Sequence, residues 1–330
     1  MPNTKILALG HYLPPRIVTN EHLASILQLP KEEIRKRTGI EERRYVDHET
    51  SCSDLALYAV ENALERSGLF KEEIDFIIFA TLSPDHFFPG SGCFLQEKLK
   101  LPGVPALDIR NQCSGFLYGL TIADHLIRLG TYRRVLVTGA EIHSTGLNLS
   151  PAGREISILF GDGAACAILG SSNSSSQIIL SKLHADGRYA RALWVEAPSS
   201  SGRAQIGHED IERGAHYPKM NGGLVFRHAV KYLSEVVQET LSEAGYQLDD
   251  VSLFIFHQAN LRIIEAVCTR LRISQDKVLC NIEKYGNTTS ASIPILLSEA
   301  QEKGRLERES LILLAAFGSG FTWAATLLRY

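Results

Sequence analysis

Cys113 has the setting of a nucleophile, in the stretch Ala106-Leu107-Asp108-Ile109-Arg110-Asn111-Gln112-Cys113-Ser114-Gly115-Phe116. An apolar strand-like run ends near Ile109 and a few polar residues turn the chain. From Cys113 onward Phe116, Leu117, Leu120, Ala123, Leu126 and Ile127 fall at helical spacing, with Gly130 as the expected C-cap. A thiol on the first turn of a helix faces unpaired backbone N–H groups and the positive end of the helix dipole, and both favour the thiolate. Read alone, Cys113 is more readily a small buried apolar residue, the common fate of a free cysteine. Two other polar groups change that balance. His257 follows the run Leu253-Phe254-Ile255-Phe256, at the carboxyl end of a strand, where ligand sites of α/β folds lie. Asn287 sits in Tyr285-Gly286-Asn287-Thr288-Thr289-Ser290-Ala291-Ser292-Ile293-Pro294, small polar residues ahead of a helix that runs to Ala300. Each has an ordinary alternative, a satisfied core histidine and a helix cap. Together a thiol, an imidazole and a carboxamide, each at the end of an element, suit acyl chemistry.

The elements that must position these groups recur along the chain. Ser67-Gly68-Leu69-Phe70-Lys71-Glu72-Glu73-Ile74-Asp75-Phe76-Ile77-Ile78-Phe79-Ala80 ends an amphipathic helix and enters a buried strand, and Ala244 to His257 repeats that grammar. Phe160-Gly161-Asp162-Gly163 with Ala167 returns as Phe317-Gly318-Ser319-Gly320 with Ala324. Two ordered echoes in one direction point to a duplicated α/β unit rather than chance likeness. The runs Phe76–Phe79, Val135–Val137, Leu253–Phe256 and Leu311–Leu314 are apolar at successive positions, as strands covered on both faces are. Two mixed sheets with several helical layers are expected. Ser171-Ser172-Asn173-Ser174-Ser175-Ser176 reads as the connection between the halves. The region up to Tyr45 and the stretch from Arg188 to Asn221 interrupt the plan. The latter, with Pro198, Gly202, Arg203, Gly207, Gly214 and Pro218, reads as loops around a site or an interface.

Composition excludes several classes. A chain of 330 residues with 45% hydrophobic content buries a large core, and a net charge of −3 offers no footprint for nucleic acid. Charged residues interrupt the chain too often for a membrane span, and the start lacks the apolar stretch of a signal peptide, so a cytoplasmic location is expected. The six cysteines, at 52, 93, 113, 166, 268 and 280, form no Cys-x-x-Cys pair and are expected to be reduced. His48-Glu49-Thr50-Ser51-Cys52 lacks the second histidine that a zinc-binding helix needs at i+4.

Five motifs together resemble the set of the 3-oxoacyl-[acyl-carrier-protein] synthase III family of the thiolase superfamily: Asn111-Gln112-Cys113-Ser114-Gly115-Phe116, Phe160-Gly161-Asp162-Gly163-Ala164, His257-Gln258-Ala259-Asn260-Leu261-Arg262-Ile263, Gly286-Asn287-Thr288 and Phe317-Gly318-Ser319-Gly320-Phe321-Thr322-Trp323. Pro14 to Asn20, Arg37-Thr38-Gly39-Ile40 and His184-Ala185-Asp186-Gly187 extend the likeness over nearly the whole chain. The resemblance implies a duplicated thiolase-like fold, a layered α-β-α-β-α sandwich with two mixed five-stranded sheets, and usually a homodimer. The nucleophile falls in a half spanning 1–172, and the histidine and asparagine in a half spanning 173–330. It further implies that Cys113 takes an acyl group from a thioester donor and that the acyl-enzyme condenses with a malonyl group on acyl carrier protein, with loss of CO2 and no metal or redox cofactor. Cys113 and Ser319 supply the oxyanion hole through their backbone N–H groups, while His257 and Asn287 hold the malonyl thioester carbonyl. The pathway implied is fatty acid or polyketide synthesis.

By the same resemblance, Arg37, Phe88, Arg154, Phe160 and Asn260 are expected near the acyl chain or coenzyme A. Phe88 matches a position that reaches across a dimer, with ordinary core as its alternative. Arg227, Arg262 and Arg270 are expected to meet the acidic carrier protein. One departure stands out: Glu33 occupies the position where family members usually stack a tryptophan on adenine. A carboxylate cannot stack and repels phosphates, which points to a longer acyl-CoA, a carrier-bound donor or a secondary-metabolite role instead of acetyl-CoA priming. A non-decarboxylating relative that joins two acyl thioesters or acylates another acceptor stays open as the alternative, as does a catalytically silent thioester-binding subunit.

Overall fold

The computed structural model describes residues 2–47, 49–201 and 205–330, so His48, Gly202 and Arg203 lie outside it. Two sheets organise the chain. In the first, the strands run in the order Asn3–Tyr12, Gly163–Ser172, Arg134–Glu141, Phe76–Ala80, Ala106–Ile109, the last three parallel and the others antiparallel. In the second the order is Gln177–Ala185, Thr322–Arg329, Leu311–Gly318, Leu253–Phe256, with only the last pair parallel. Next to Leu253–Phe256, where a fifth strand is expected, a single parallel bridge joins Phe254 to Val278. Pairing stops there because the Asn281 N–H goes to the Gln258 side chain instead of a ladder. The start of the chain belongs to the plan as the edge strand Asn3–Tyr12. The interruption begins only after that strand, as a ladder of Arg16–Thr19 on Glu42–Tyr45 that encloses the Asn20–Leu27 and Lys31–Thr38 helices.

Five layers result. The Gly115–Arg128 and Ser292–Glu302 helices lie between the sheets, in a core shared by Leu9, Phe116, Leu120, Ile293, Leu297 and Ile312. The Cys52–Ser67 helix covers the outer face of the first sheet, and the Gly222–Ala244 and Leu261–Leu271 helices cover that of the second. Helix Cys52–Ser67 shows the local reasons. Ser51 and Asp54 form a capping box, Leu55, Ala56, Ala59, Val60 and Ala63 make one buried face, and Gly68 ends it at φ 71°. The second half repeats this ending, with Gly245 at φ 77°, then a 3-10 turn and a strand, as after Gly68.

The inner helices repeat each other more tellingly. Each is entered through a short 3-10 turn, Gln112–Ser114 before Gly115 and Thr289–Ala291 before Ser292. Gln112 and Thr289 both take a positive φ, 44° and 49°. Cys113 and Ser290 occupy matching places in these turns, and each presses against a glycine of the opposite half. A Cβ on Gly318 would lie 2.9 Å from Cys113 Cβ, and one on Gly139 would lie 2.5 Å from the Ser290 carbonyl oxygen. Gly139→Ala must therefore displace backbone. It is expected to cost about 1–3 kcal/mol, seen as a lowered melting temperature, whereas Gly130→Ala, in open space, costs only its φ strain.

Candidate active site

Cys113 is the middle residue of its 3-10 turn, one turn ahead of the helix proper, at the wall of a cavity of about 1060 Å³. Asn287, Thr289, Ser319, Gly320, Phe160 and His143 line the same cavity. The segment that reads as loops around a site forms its other side, through Leu193, Trp194, Pro198, His216 and Pro218, braced by the Leu193–Val195 and Pro218–Met220 ladder.

The thiol does not behave as its place near a helix N-terminus suggests. Burial pushes the Cys113 thiol up to about 12 and the Glu141 carboxylate adds to this, while the backbone N–H groups of Cys113 and Ser319 pull weakly the other way. Burial therefore works against the thiolate that the helix end favours. The same N–H pair nevertheless converges on the sulfur from both halves, which is the arrangement an oxyanion hole needs.

Asn287 is held by its backbone, whose N–H donates to the Leu159 carbonyl at 2.8 Å and whose carbonyl accepts from Gly161 at 3.1 Å. Its Oδ1 accepts the Thr289 N–H at 2.8 Å, which leaves the amide Nδ2 as the group offered to the cavity. His257 leaves the Leu253–Phe256 strand with its N–H on the Ala315 carbonyl and its Nδ1 2.6 Å from Ser292 Oγ. Ser292 Oγ accepts the Gln258 N–H, and where it gives its own proton to Nδ1 the ring proton of His257 sits on Nε2. That Nε2 is buried and has no hydrogen-bond partner among the described residues. Burial, with His143 nearby, lowers the His257 pKa to about 3, so the ring is neutral. Cys113 and Asn287 line the cavity, and His257 is buried next to them without being part of the lining.

The peripheral residues separate into groups. Phe160 lines the cavity, its ring centroid 4.5 Å from that of His143. Phe88 is 81% exposed, which overturns the core alternative, because the loop it occupies runs over the surface. Asn260 accepts the Arg262 N–H and donates to the Arg37 carbonyl, so it caps a helix and positions Arg37. Arg37 donates to Glu33 at 2.7 Å and to Glu155 at 2.9 Å, and Arg154 lies 3.8 Å from Glu155. Glu33 therefore acts as the partner of Arg37. Arg227, Arg262 and Arg270 are exposed and form no ion pair among the described residues.

Two residues of the site escape sequence reasoning. Glu141 is fully buried and accepts from Thr81, Leu82, Ser83 and Ser290, tying the first half to the second beside Cys113. Burial pushes its pKa up to about 7 despite these donors. His143 comes two residues later. Their signal in the sequence is a carboxylate and an imidazole closing the apolar run that starts at Val135, as His257 closes its own strand.

Comparison with known proteins finds relatives along the whole chain. Residues 107–187 match the family model described as 3-oxoacyl-[acyl-carrier-protein (ACP)] synthase III, and residues 241–330 match its C-terminal counterpart. A curated β-ketoacyl-[acyl-carrier-protein] synthase III from Caldanaerobacter subterraneus subsp. tengcongensis is 42% identical over 325 residues, 98% of this chain and 97% of the relative. The crystal structure of 3-oxoacyl-[acyl-carrier-protein] synthase III from Aquifex aeolicus VF5 superposes with a TM-score of 0.91 at 42% identity, covering 99% of this chain and 100% of that one. The priming β-ketosynthase from the R1128 polyketide biosynthetic pathway gives 0.90 at 30% identity, covering 99% and 96%.

A thiol whose pKa is raised gains reactivity only as pH climbs towards that value. Alkylation of Cys113 by iodoacetamide, read by peptide mass so that exposed Cys93 is counted separately, should rise about tenfold per pH unit from pH 6 to 9. A plateau reached below pH 7 would contradict the burial argument.

Proposed function

The chain belongs to the 3-oxoacyl-[acyl-carrier-protein] synthase III family, and from that premise we propose how its own residues divide the work of the family's condensation. The protein is an acyltransferase that forms a 3-oxoacyl product by decarboxylating Claisen condensation of an acyl thioester with a malonyl thioester. In the proposed division, Cys113 Sγ attacks the carbonyl of the acyl donor. The oxyanion meets the N–H groups of Cys113 and Ser319, and the donor's thiol departs with the proton. The malonyl thioester, delivered on acyl carrier protein, then places its carbonyl oxygen against His257 Nε2 and Asn287 Nδ2. As CO2 leaves, the enolate charge grows on that oxygen, and the enolate carbon attacks acyl-Cys113, whose sulfur leaves and regains a proton.

The observation that carries this reading is the unpartnered buried Nε2 of His257, because a buried donor without an acceptor is costly unless a ligand supplies one. A neutral imidazole also suits the step better than a cation, which would hold the malonyl carboxylate in the ground state. The chemistry calls for no metal or redox cofactor. Exposed Arg227, Arg262 and Arg270 suit the acidic carrier protein, and exposed Phe88 together with the sheet edge at Ala106–Ile109 suits a homodimer. No helix among the described residues is long and apolar enough to cross a membrane, in keeping with work in the cytoplasm.

Three variants separate the steps. Cys113→Ala should give no acyl adduct by intact mass. His257→Ala and Asn287→Ala should still acylate but release CO2 from labelled malonyl thioester about 10²–10³-fold more slowly. Normal ketoacyl product from Cys113→Ala would refute the assignment, and product without CO2 release would favour the non-decarboxylating alternative.

A further inference from the structure

The cavity is lined by His86, His143 and His216, none of which the condensation uses, and His143 is the one held against the turn of Asn287 and Thr289. His143 stands just beyond the Arg134–Glu141 strand, is 8% exposed and lines the cavity that contains Cys113. It is held from three sides. Its backbone N–H donates to Asp162 at 2.7 Å, its ring Nε2 lies 2.6 Å from Thr289 Oγ1, and its ring packs on Phe160. Burial keeps this ring neutral, with a pKa lowered to about 3. A neutral imidazole has one N–H and one lone pair, so with Nε2 given to Thr289 the other nitrogen, Nδ1, has one hydrogen bond left to make. Among the described residues it makes none. The neighbouring wall mixes apolar Leu82 and Ile142 with the hydroxyl of Thr145, which is not the uniform lining that a plain alkyl chain calls for.

We propose that the acyl group loaded onto Cys113 carries a hydroxyl on its chain and that His143 Nδ1 recognises it, which makes His143 a specificity-determining residue. The proposal rests on the condensation reading and names its primer class. A hydroxyl is favoured over other polar groups because it answers either tautomer. Where Thr289 donates to Nε2, Nδ1 carries the proton and the hydroxyl accepts. Where Thr289 accepts, Nδ1 has the lone pair and the hydroxyl donates. A ketone satisfies only the first case and an ammonium only the second. An alkyl chain packed against Nδ1 leaves it dry and unpaired in both.

The test is a competition among butanoyl, 3-hydroxybutanoyl and 4-hydroxybutanoyl N-acetylcysteamine thioesters, with Cys113 acylation monitored by intact mass. These small donors take both coenzyme A and carrier-protein recognition out of the comparison. At least one hydroxylated donor should acylate wild-type protein roughly 10- to 100-fold faster than butanoyl. His143→Leu should abolish that preference. His143→Phe, which keeps a ring against Phe160 but no Nδ1, should do the same and serves where the leucine variant does not fold. Butanoyl acylating as fast as both hydroxylated donors, or a preference that survives loss of the imidazole, overturns the proposal. Absence of any adduct on Cys113 from all three donors would instead count against the condensation reading itself.

Discussion

The site depends on how closely the entry turns of the two inner helices approach the opposite sheet. Gly318 ends a strand of the second sheet with its Cα against Cys113, and Gly139, near the end of a strand of the first, lies against the Ser290 carbonyl. No side chain fits at either contact. Because Gly318 lets the strand come this near, the next residue, Ser319, can turn its backbone N–H toward a sulfur carried by the other half. A serine at 319 serves as well as a glycine for this purpose, since the donor is the backbone. The Gly139 contact locks the reciprocal pair, so the turn bearing Asn287 and Thr289 cannot shift without moving the strand that ends in Glu141.

Once the halves close, lack of water governs the chemistry. The thiol of Cys113 is pushed up and the imidazoles of His257 and His143 are pushed down, so all three rest uncharged. The Glu141 carboxylate behind Cys113 is surrounded by hydroxyl and amide donors with no cation beside it among the described residues. In such surroundings a hydrogen bond to a developing anion is stronger than it would be in water, and the donors need no reorganisation when the charge appears. The rate at which Cys113 acylates then reflects how well a bound thioester carbonyl is polarised, more than how much thiolate is present beforehand.

Much of this is legible in the chain, for identifiable reasons. Strands buried on both faces announce themselves through unbroken apolar runs, and Gly68 and Gly245 mark the same left-handed helix ending in each half. The motif glycines carry the family likeness, since close approach tolerates no alternative. What the chain hides depends on burial, which spacing does not report. The first-turn position of Cys113 points to an easy thiolate, and the desolvation that opposes it is invisible in the spacing. Asn260 sits in a motif beside the site but is consumed as a cap between two elements far apart in sequence. Glu141 and His143 escape notice because a carboxylate and an imidazole after a strand look like an exposed loop until the second half packs over them. Glu33 reads as a lost stacking residue, whereas in the folded chain it gains a definite partner in Arg37.

The central claim is that one half's thiol and the other half's backbone share a single reacting carbonyl. The most direct measurement is a crystal structure of the protein acylated on Cys113. A shared oxyanion hole predicts that the thioester oxygen lies about 3 Å from the backbone nitrogens of both Cys113 and Ser319, with Asn287 Nδ2 facing the same cavity. An oxygen turned away from both nitrogens would contradict it.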